Sequence, residues 1–593
     1  MNESGQITDL RIETERVDDI PLLVAQMRRM ELPEVLDSRV VVHGNRRGLS
    51  LGWTVVVWLA HLLSEADHRL SQVRPWTAQR LETLRACTGQ EIQEEDLSDD
   101  RLADALRALA DDETWANVEQ GLVLSLLRVY DLRPPGPRPT GAPPPCVRVD
   151  MTTARGYGQV DADGLFQFEF GHSKDHRPDL PQVKIALSTL DPLGLPVASE
   201  VVAGHHADDP LYRPLIKRVH DSLSVRGLLV VGDCKLAALD TRADIHTYHS
   251  FYLCPLSAVQ VPPAALARAL ATAQATAGPP ERIARMRPDG TPEHLADGYE
   301  WTEDLSAVLD GWRTVTWTER RLLLRSRVQA DAAETALRAR LERARQTIAD
   351  LTTPRRGKSR PADRAAVQQA TTTIVAREQV EGLLHIEVAE QVWERQVRGY
   401  RGQPARAVAQ RTLTVTATTD TAALDEAIAL LGWRVYATNA PTATLSLTQA
   451  ALAYRGQYSV ERAFGRLKGR PLSLTPLYLD RDDHTTGLIR LLTLALRVLT
   501  TAEHAVRQGL AAQERTLTGL YAGNPTRATA RPTTELLLAA FRTLTLTVLT
   551  TPSATHRSLT SLTPLQEDIL ALLGLPADTY HALTSPSHFP LPP

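Results

Sequence analysis

The sequence predicts a mixed α/β core, preceded by a helical module and interrupted by a long α+β insertion. Three observations carry this reading. Residues 1 to about 130 hold apolar side chains at helical spacing with capping signals. A proline-dense stretch at 134–145 then separates them from a series of short, branched, strand-like runs. Such a run returns at 431–438, after a long stretch of different character.

In the amino-terminal part (1–133), Val17–Met30 carries spaced apolar residues and Leu32–Leu36 a further turn. Ser50 is placed to cap a helix containing Trp53, Val57, Trp58 and Leu62. Ser98 precedes acids and then Leu102, Leu106 and Leu109, and acids in a first turn suit the helix dipole. No spacing decides whether this module reads DNA, pairs two copies or only packs. The prolines between 134 and 145 exclude a regular element. Cys146–Asp150 reads as a strand ending on its aspartate, and Gly164–Phe170 alternates like a strand. Gln182–Leu190 and Leu195–Val202 flank a turn at Asp191–Gly194. Leu211–Leu223 is helical, and Gly227–Asp233 is a short apolar run of the kind buried in a mixed sheet. Hairpin strands, helix and buried strand, in that order, fit an RNase H-like α/β core, with a first part at 146–250 and a second at 426–500.

Between them, 251–425 reads as an insertion subdomain. It has strand-like pieces at Thr314–Trp317 and Arg411–Ala417, a charged helix at Ala332–Asp350 and a basic loop at 351–361. Leu431–Thr438 reads as a strand, and Ser446-x-x-Gln449 as a capping box. Residues 485–501 and 529–549 read as helices, with 501–550 forming a carboxyl-terminal helical part. The Ser/Thr/Pro-rich remainder, 551–593, reads as a mostly flexible tail.

A chain of 593 residues exceeds one core, and 43% apolar content suits a globular protein. Its four cysteines are scattered without a Cys-x-x-Cys pair, so neither a zinc knuckle nor a disulfide framework is expected. The first residues lack the pattern of a signal peptide, and the apolar helices carry arginine or histidine, so a membrane span is not expected. A cytoplasmic setting follows as the expectation. The net charge of −4 argues mildly against a nucleic-acid partner. It conceals three basic clusters: Arg320, Arg321, Arg325 and Arg327; Arg355, Arg356, Lys358 and Arg360; and Arg462, Arg466, Lys468 and Arg470. Such clusters bind phosphates, although a solvated face is the plainer reading of each.

The chemistry is expected around Glu461. Tyr454–Lys468 reads as an amphipathic helix that Gly456 can kink. Residues seven apart lie about 20° from eclipsed, so Tyr454, Glu461 and Lys468 share a face with Gln457 beside them. Val460, Phe464 and Leu467 form the adjoining apolar stripe. Asp150 and Asp233 each follow a branched apolar run. On neighbouring strands, both would emerge at one edge of the sheet, within reach of Glu461. Three crowded carboxylates need compensating cations, and two Mg²⁺ ions roughly 3.5–4 Å apart would supply them for phosphoryl transfer. Any one of these acids is equally at home on an ordinary surface. His205-His206-x-Asp208 crowds its groups without a second cluster, so zinc is not expected. Trp433 and Phe464 read as core aromatics.

These residues resemble bacterial insertion-sequence transposases of the DDE class, in particular the group with a long insertion before the catalytic glutamate and a Tyr-Arg-Glu-Lys motif. Tyr454, Gln457, Glu461 and Lys468 keep that motif's spacing, with glutamine in place of its arginine. Asp150-Met-Thr-Thr153, Gly171–Val183, Val230-Val-Gly-Asp233 and Gly432–Asn439 resemble the family's other blocks, and the likeness covers roughly residues 15 to 500. The resemblance implies Asp150, Asp233 and Glu461 as metal ligands for two Mg²⁺, with Mn²⁺ as substitute. It implies Tyr454, Gln457 and Lys468 as contacts to the transposon end, with Lys468 near the scissile phosphate. Lys174 and Arg177 would lie near the DNA path, and Arg355, Arg356, Lys358 and Arg360 would add affinity. Element-end and target DNA are the implied partners, bound by a homodimer formed on DNA. Two alternatives stand beside this: an RNase H-like nuclease without strand transfer, and a catalytically inactive DNA-binding derivative.

Overall fold

The computed structural model describes residues 10–41, 48–132, 141–157, 168–171, 177–287, 289–353, 361–398, 404, 406–479, 481–551, 554–576 and 578–584. It is a mixed α/β protein. Its strands are β1 (Arg11–Arg16), β2 (Cys146–Arg155), β3 (Gln182–Leu190), β4 (Leu195–Ala203), β5 (Leu229–Val231), β6 (Phe251–Pro255), β7 (Glu281–Met286), β8 (Pro292–Leu309), β9 (Arg313–Ser326), β10 (Leu384–Val397), β11 (Arg406–Thr419), β12 (Trp433–Thr438), β13 (Thr545–Thr550) and β14 (Thr555–Leu559). Nine of them form one sheet in the order β4-β3-β2-β5-β6-β12-β9-β8-β7. β2, β3 and β4 are antiparallel neighbours, whereas β2, β5 and β6 run parallel. β3 is buried along its length, with both the Tyr212–Leu223 and Tyr458–Lys468 helices packed on it.

Most elements lie where the sequence places them, and the differences have local causes. β2 does not end on Asp150 but runs on to Arg155, because Thr152, Thr153 and Ala154 pair with Ile185, Lys184 and Val183 of β3. The expected strand at Gly164–Phe170 lies mostly outside the described residues. At its end Glu169 bridges Gln182, and Phe168 is buried.

Within the expected insertion at 251–425, β6, β7, β8 and β9 belong to the main sheet, since β8 and β9 form a long ladder and β12 pairs with both β9 and β6. The part with a separate core is smaller. Its helices at Arg327–Ala349, Arg364–Glu378 and Thr421–Leu430 and the β10–β11 hairpin share a cluster around Leu337, Leu341, Val367, Ile374 and Val415.

The carboxyl-terminal part differs most from expectation. In place of a helix over 529–549 there is a short helix at Thr534–Ala539 followed by β13. The tail after 550 forms β14 and a helix at Pro564–Leu573. Thr-rich stretches read as low-complexity tail, but β-branched residues also suit strands. Here Leu546 and Val548 are buried, and β13 pairs with β1 at the other end of the chain. Tyr580 is fully buried, stacks on Phe541 and donates to the Asp18 carbonyl. One apolar cluster extends from Val17 to Leu583, so the prolines at 134–145 do not separate two cores.

The Asp482–Ala512 helix has 31 residues and is long and apolar enough to cross a membrane, contrary to expectation. It continues beyond the expected end at 501. Its apolar window is entirely buried against protein. Two of its arginines, Arg490 and Arg497, are buried and partnered: Arg490 donates to the Leu109 and Ala110 carbonyls, and Arg497 pairs with Glu119 at 2.7 Å.

Candidate active site

β2 and β5 determine where the two aspartates stand. Their parallel register pairs Arg148 with Val231. Asp150 lies two residues beyond Arg148, and Asp233 two beyond Val231, so both follow the same step along adjacent strands. Tyr212, at the start of its helix, donates from its hydroxyl to Asp233 Oδ1 at 2.7 Å. Burial raises the Tyr212 hydroxyl well above its ordinary pKa, and the charges of Asp233 and Asp150 add to that effect.

Arg148 and Asp150 are two apart on a strand and share a face. The Arg148 guanidinium is nearly inaccessible. It pairs with Asp191 (2.6 Å from Nη2) and donates to the Ala453 carbonyl at 2.7 Å. This face is thus the one that receives the Glu461 segment. That segment is not one helix. Leu447–Arg455 ends at Gly456, and a second helix runs Tyr458–Lys468. The Ser446–Gln449 capping box opens the first as expected. At the break Arg148 approaches so closely that a Cβ on Gly456 would lie 2.2 Å from its Nη2.

Tyr454 consequently sits on the first helix, so helical periodicity alone does not join it to Glu461, although both line one groove as expected. Glu461 and Lys468 do share the second helix. Glu461 is exposed and Lys468 half-buried, while Val460, Phe464 and Leu467 are buried as the stripe requires. A groove of 460 Å³ is lined by Arg434, Tyr436, Tyr454, Gln457 and Glu461 among others. The neighbouring groove is lined by Asp233, Cys234, Arg434 and Tyr454. Arg434 and Tyr454 line both grooves. The Tyr454 ring meets Tyr436 edge-on at 4.7 Å, and burial raises its hydroxyl pKa. The Gln457 side-chain oxygen is buried without a donor among the described residues.

The donor set is right in kind for Mg²⁺, which takes carboxylate oxygens. The convergence is incomplete. Among the described residues no group of three or more His, Cys, Asp or Glu side chains is gathered so as to hold an ion. The register sets the two aspartates at equal steps beyond a paired position of β2 and β5, and Glu461 and Asp233 line neighbouring grooves.

The basic clusters divide differently from expectation. Arg462 and Arg466, together with Arg507, surround the buried Glu503. Burial works against the charge of Glu503, but these three arginines hold its pKa below the ordinary range. Arg320 is buried and donates to the Ala440 and Leu445 carbonyls, Arg321 pairs with Glu303 and Glu319, and Arg325 donates to the Leu431 carbonyl. These side chains join parts of the fold. Arg177 is exposed and pairs with Asp179 at 2.7 Å. Lys174, Arg355, Arg356, Lys358 and Arg360 lie outside the described residues. Trp433 stacks on Tyr299, and Phe464 is buried, as expected of core aromatics.

Sequence reading missed Arg148, Asp191, Tyr212 and Arg434. Strand alternation from Asp150 could have placed Arg148 on the same face. Nothing local ties Tyr212 to Asp233, because their meeting depends on how the helix docks.

No family model and no curated protein matches the chain, so the narrower resemblance to insertion-sequence transposases stays a resemblance. Among solved structures, the chain is similar to a piggyBac transposase in a cryo-EM synaptic complex with hairpin DNA. The identity is 8% and the TM-score 0.31, over 83% of this chain and 78% of that one. A likeness at this level assigns no function.

Proposed function

We propose that this chain is a DNA transposase that cuts the ends of a DNA element and joins them to target DNA by metal-assisted phosphoryl transfer. The observation that carries the proposal is the placement of Asp150 and Asp233 at equal steps along the parallel strands β2 and β5, beside the strand face that receives the Glu461 helix. The half-sheet β4-β3-β2-β5-β6, three antiparallel strands followed by two parallel ones, is read as an RNase H-like core.

Asp150 and Asp233 would hold Mg²⁺, with Mn²⁺ as a substitute, and Glu461 would join them on closure of the groove. Held by these carboxylates, such ions would supply activation of an attacking oxygen and charge stabilisation of the leaving one. The chain's own residues do the rest. The Tyr212 hydroxyl orients the Asp233 carboxylate. Arg148 fixes the start of the Glu461 helix. Lys468, on the same helix, offers a cation to a DNA phosphate, and Tyr454 and Gln457 line the groove beside it. The partners are element-end and target DNA, engaged by two copies of the chain paired on the DNA in a cytoplasmic setting.

Two assays test this. Supercoiled plasmid carrying the element ends should be cut in the presence of Mg²⁺, and pre-cleaved ends should be joined to a second plasmid. Cutting without joining would replace the proposal with a nuclease, and specific DNA binding without cutting would replace it with an inactive DNA-binding protein.

A further inference from the structure

The β10–β11 hairpin contains two 14-residue strands paired from Leu384↔Thr419 at its root to Val397↔Arg406. At about 3.4 Å per residue the ribbon is roughly 45 Å long. Its root packs on the insertion's own core through Leu384, Ile386, Val388, Leu413 and Val415. Beyond that the pattern changes. Residues 389 to 396 are exposed at every position, so both faces of this strand meet solvent. Val392 is 61% and Trp393 47% exposed. A lone two-stranded ribbon is marginal in water, and this outer half extends well past its core.

Its charge is one-sided. From 390 to 411 the sequence has arginines at 395, 398, 401, 406 and 411, against glutamates at 390 and 394. Among the described residues, Arg395 and Arg398 have no ion-pair partner, and Arg411 meets only Glu390, at 3.5 Å. This differs from the clusters at 320–325 and 462–466, whose arginines join parts of the fold.

We infer that the outer half of this hairpin is a duplex-DNA-binding arm, separate from the Asp150–Asp233 site, with Trp393, Arg395, Arg398 and Arg411 as contact residues. Duplex DNA is the occupant because arginines spread along an extended ribbon complement a line of phosphates, and the major groove, about 12 Å wide, admits a two-stranded ribbon. The inference rests on the proposed action on DNA.

The test compares the full chain with an Arg395→Gln/Arg398→Gln/Arg411→Gln variant. It measures affinity for a labelled random-sequence duplex across a salt series, with thermal unfolding as the control for folding. The variant should unfold like the wild type and bind more weakly. The slope of log affinity against log salt should fall by about 0.9 per lost phosphate contact, so by up to roughly 2.7. Equal slopes and affinities would overturn the arm. So would unchanged DNA binding with a shift in the mass of the free protein, which would make the ribbon a contact between copies. A wild type that binds no duplex would instead defeat the proposed function.

Discussion

Arg148 and Gly456 meet so closely that the glycine leaves no room for a side chain: a Cβ there would lie 2.2 Å from the guanidinium. The contact joins β2, which carries Asp150, to the break that begins the Glu461 helix. Arg148 also reaches Asp191 in the β3–β4 turn, and Ser459, one residue into that helix, lies 3.4 Å from the same carboxylate. One buried arginine thereby sets three parts of the proposed site against each other.

Gly456→Ala should therefore displace either Arg148 or the helix. Overpacking of this kind costs about 1–3 kcal/mol, readable by denaturant unfolding. DNA cleavage should fall further than DNA binding. A variant of wild-type stability and full cleavage would show that the break does not depend on this contact.

Asp150→Asn, Asp233→Asn and Glu461→Gln should each abolish end cleavage while leaving end binding largely intact, since ligands of a catalytic ion serve the chemical step. Titrating Mg²⁺ against cleavage rate checks the assignment. Folded Glu461→Gln protein that cuts at the wild-type rate would remove Glu461 from the site.

Glu503→Gln tests the division of the basic clusters. Glu503 is buried among Arg462, Arg466 and Arg507, and removing one partner of such a network leaves uncompensated charge, at about 3–5 kcal/mol. The variant should unfold markedly earlier. A large loss of DNA affinity at unchanged stability would mean that these arginines face DNA instead.

Asp19 provides a pH signature. It is buried beneath Ser64, and burial raises its pKa from 3.8 to about 6. The folded state thus holds the proton more tightly than the unfolded chain. Its stabilising contribution is full below about pH 4 and is lost as pH rises through about 6. A shift of roughly 2 units corresponds to about 3 kcal/mol. Asp19→Asn should raise the melting temperature at pH 7.5 and lose this advantage near pH 4. An advantage of equal size at both pH values would rule out the linkage.

Deleting residues 561–593 should destabilise the whole chain, because the Pro564–Leu573 helix and Tyr580 complete the cluster that contains Val17 and Ile20. Circular dichroism on heating measures this. A truncated protein with unchanged unfolding would restore the tail to the mobile role its composition suggests.

The sequence by itself determined the elements whose signals are local. Ser50 caps its helix by accepting from Trp53 N, and the Ser446–Gln449 box closes as read. Branched runs made β5 and β12, and the stripe of Val460, Phe464 and Leu467 turned inward. These features depend on propensity, capping and periodicity, which neighbouring residues carry between them. Tertiary structure decided what depends on residues far apart. It continued β2 past Asp150 by giving Thr152 and Thr153 partners in β3, and it placed Arg148 against Gly456, where the sequence offered only a kink. It also drew Thr-rich 545–559 into two strands, β13 against β1 and β14 against β13, and used Arg462 and Arg466 to satisfy Glu503. A charge or a threonine carries no sign in the sequence of which partner it will meet, because that choice is made by packing energy over the whole core.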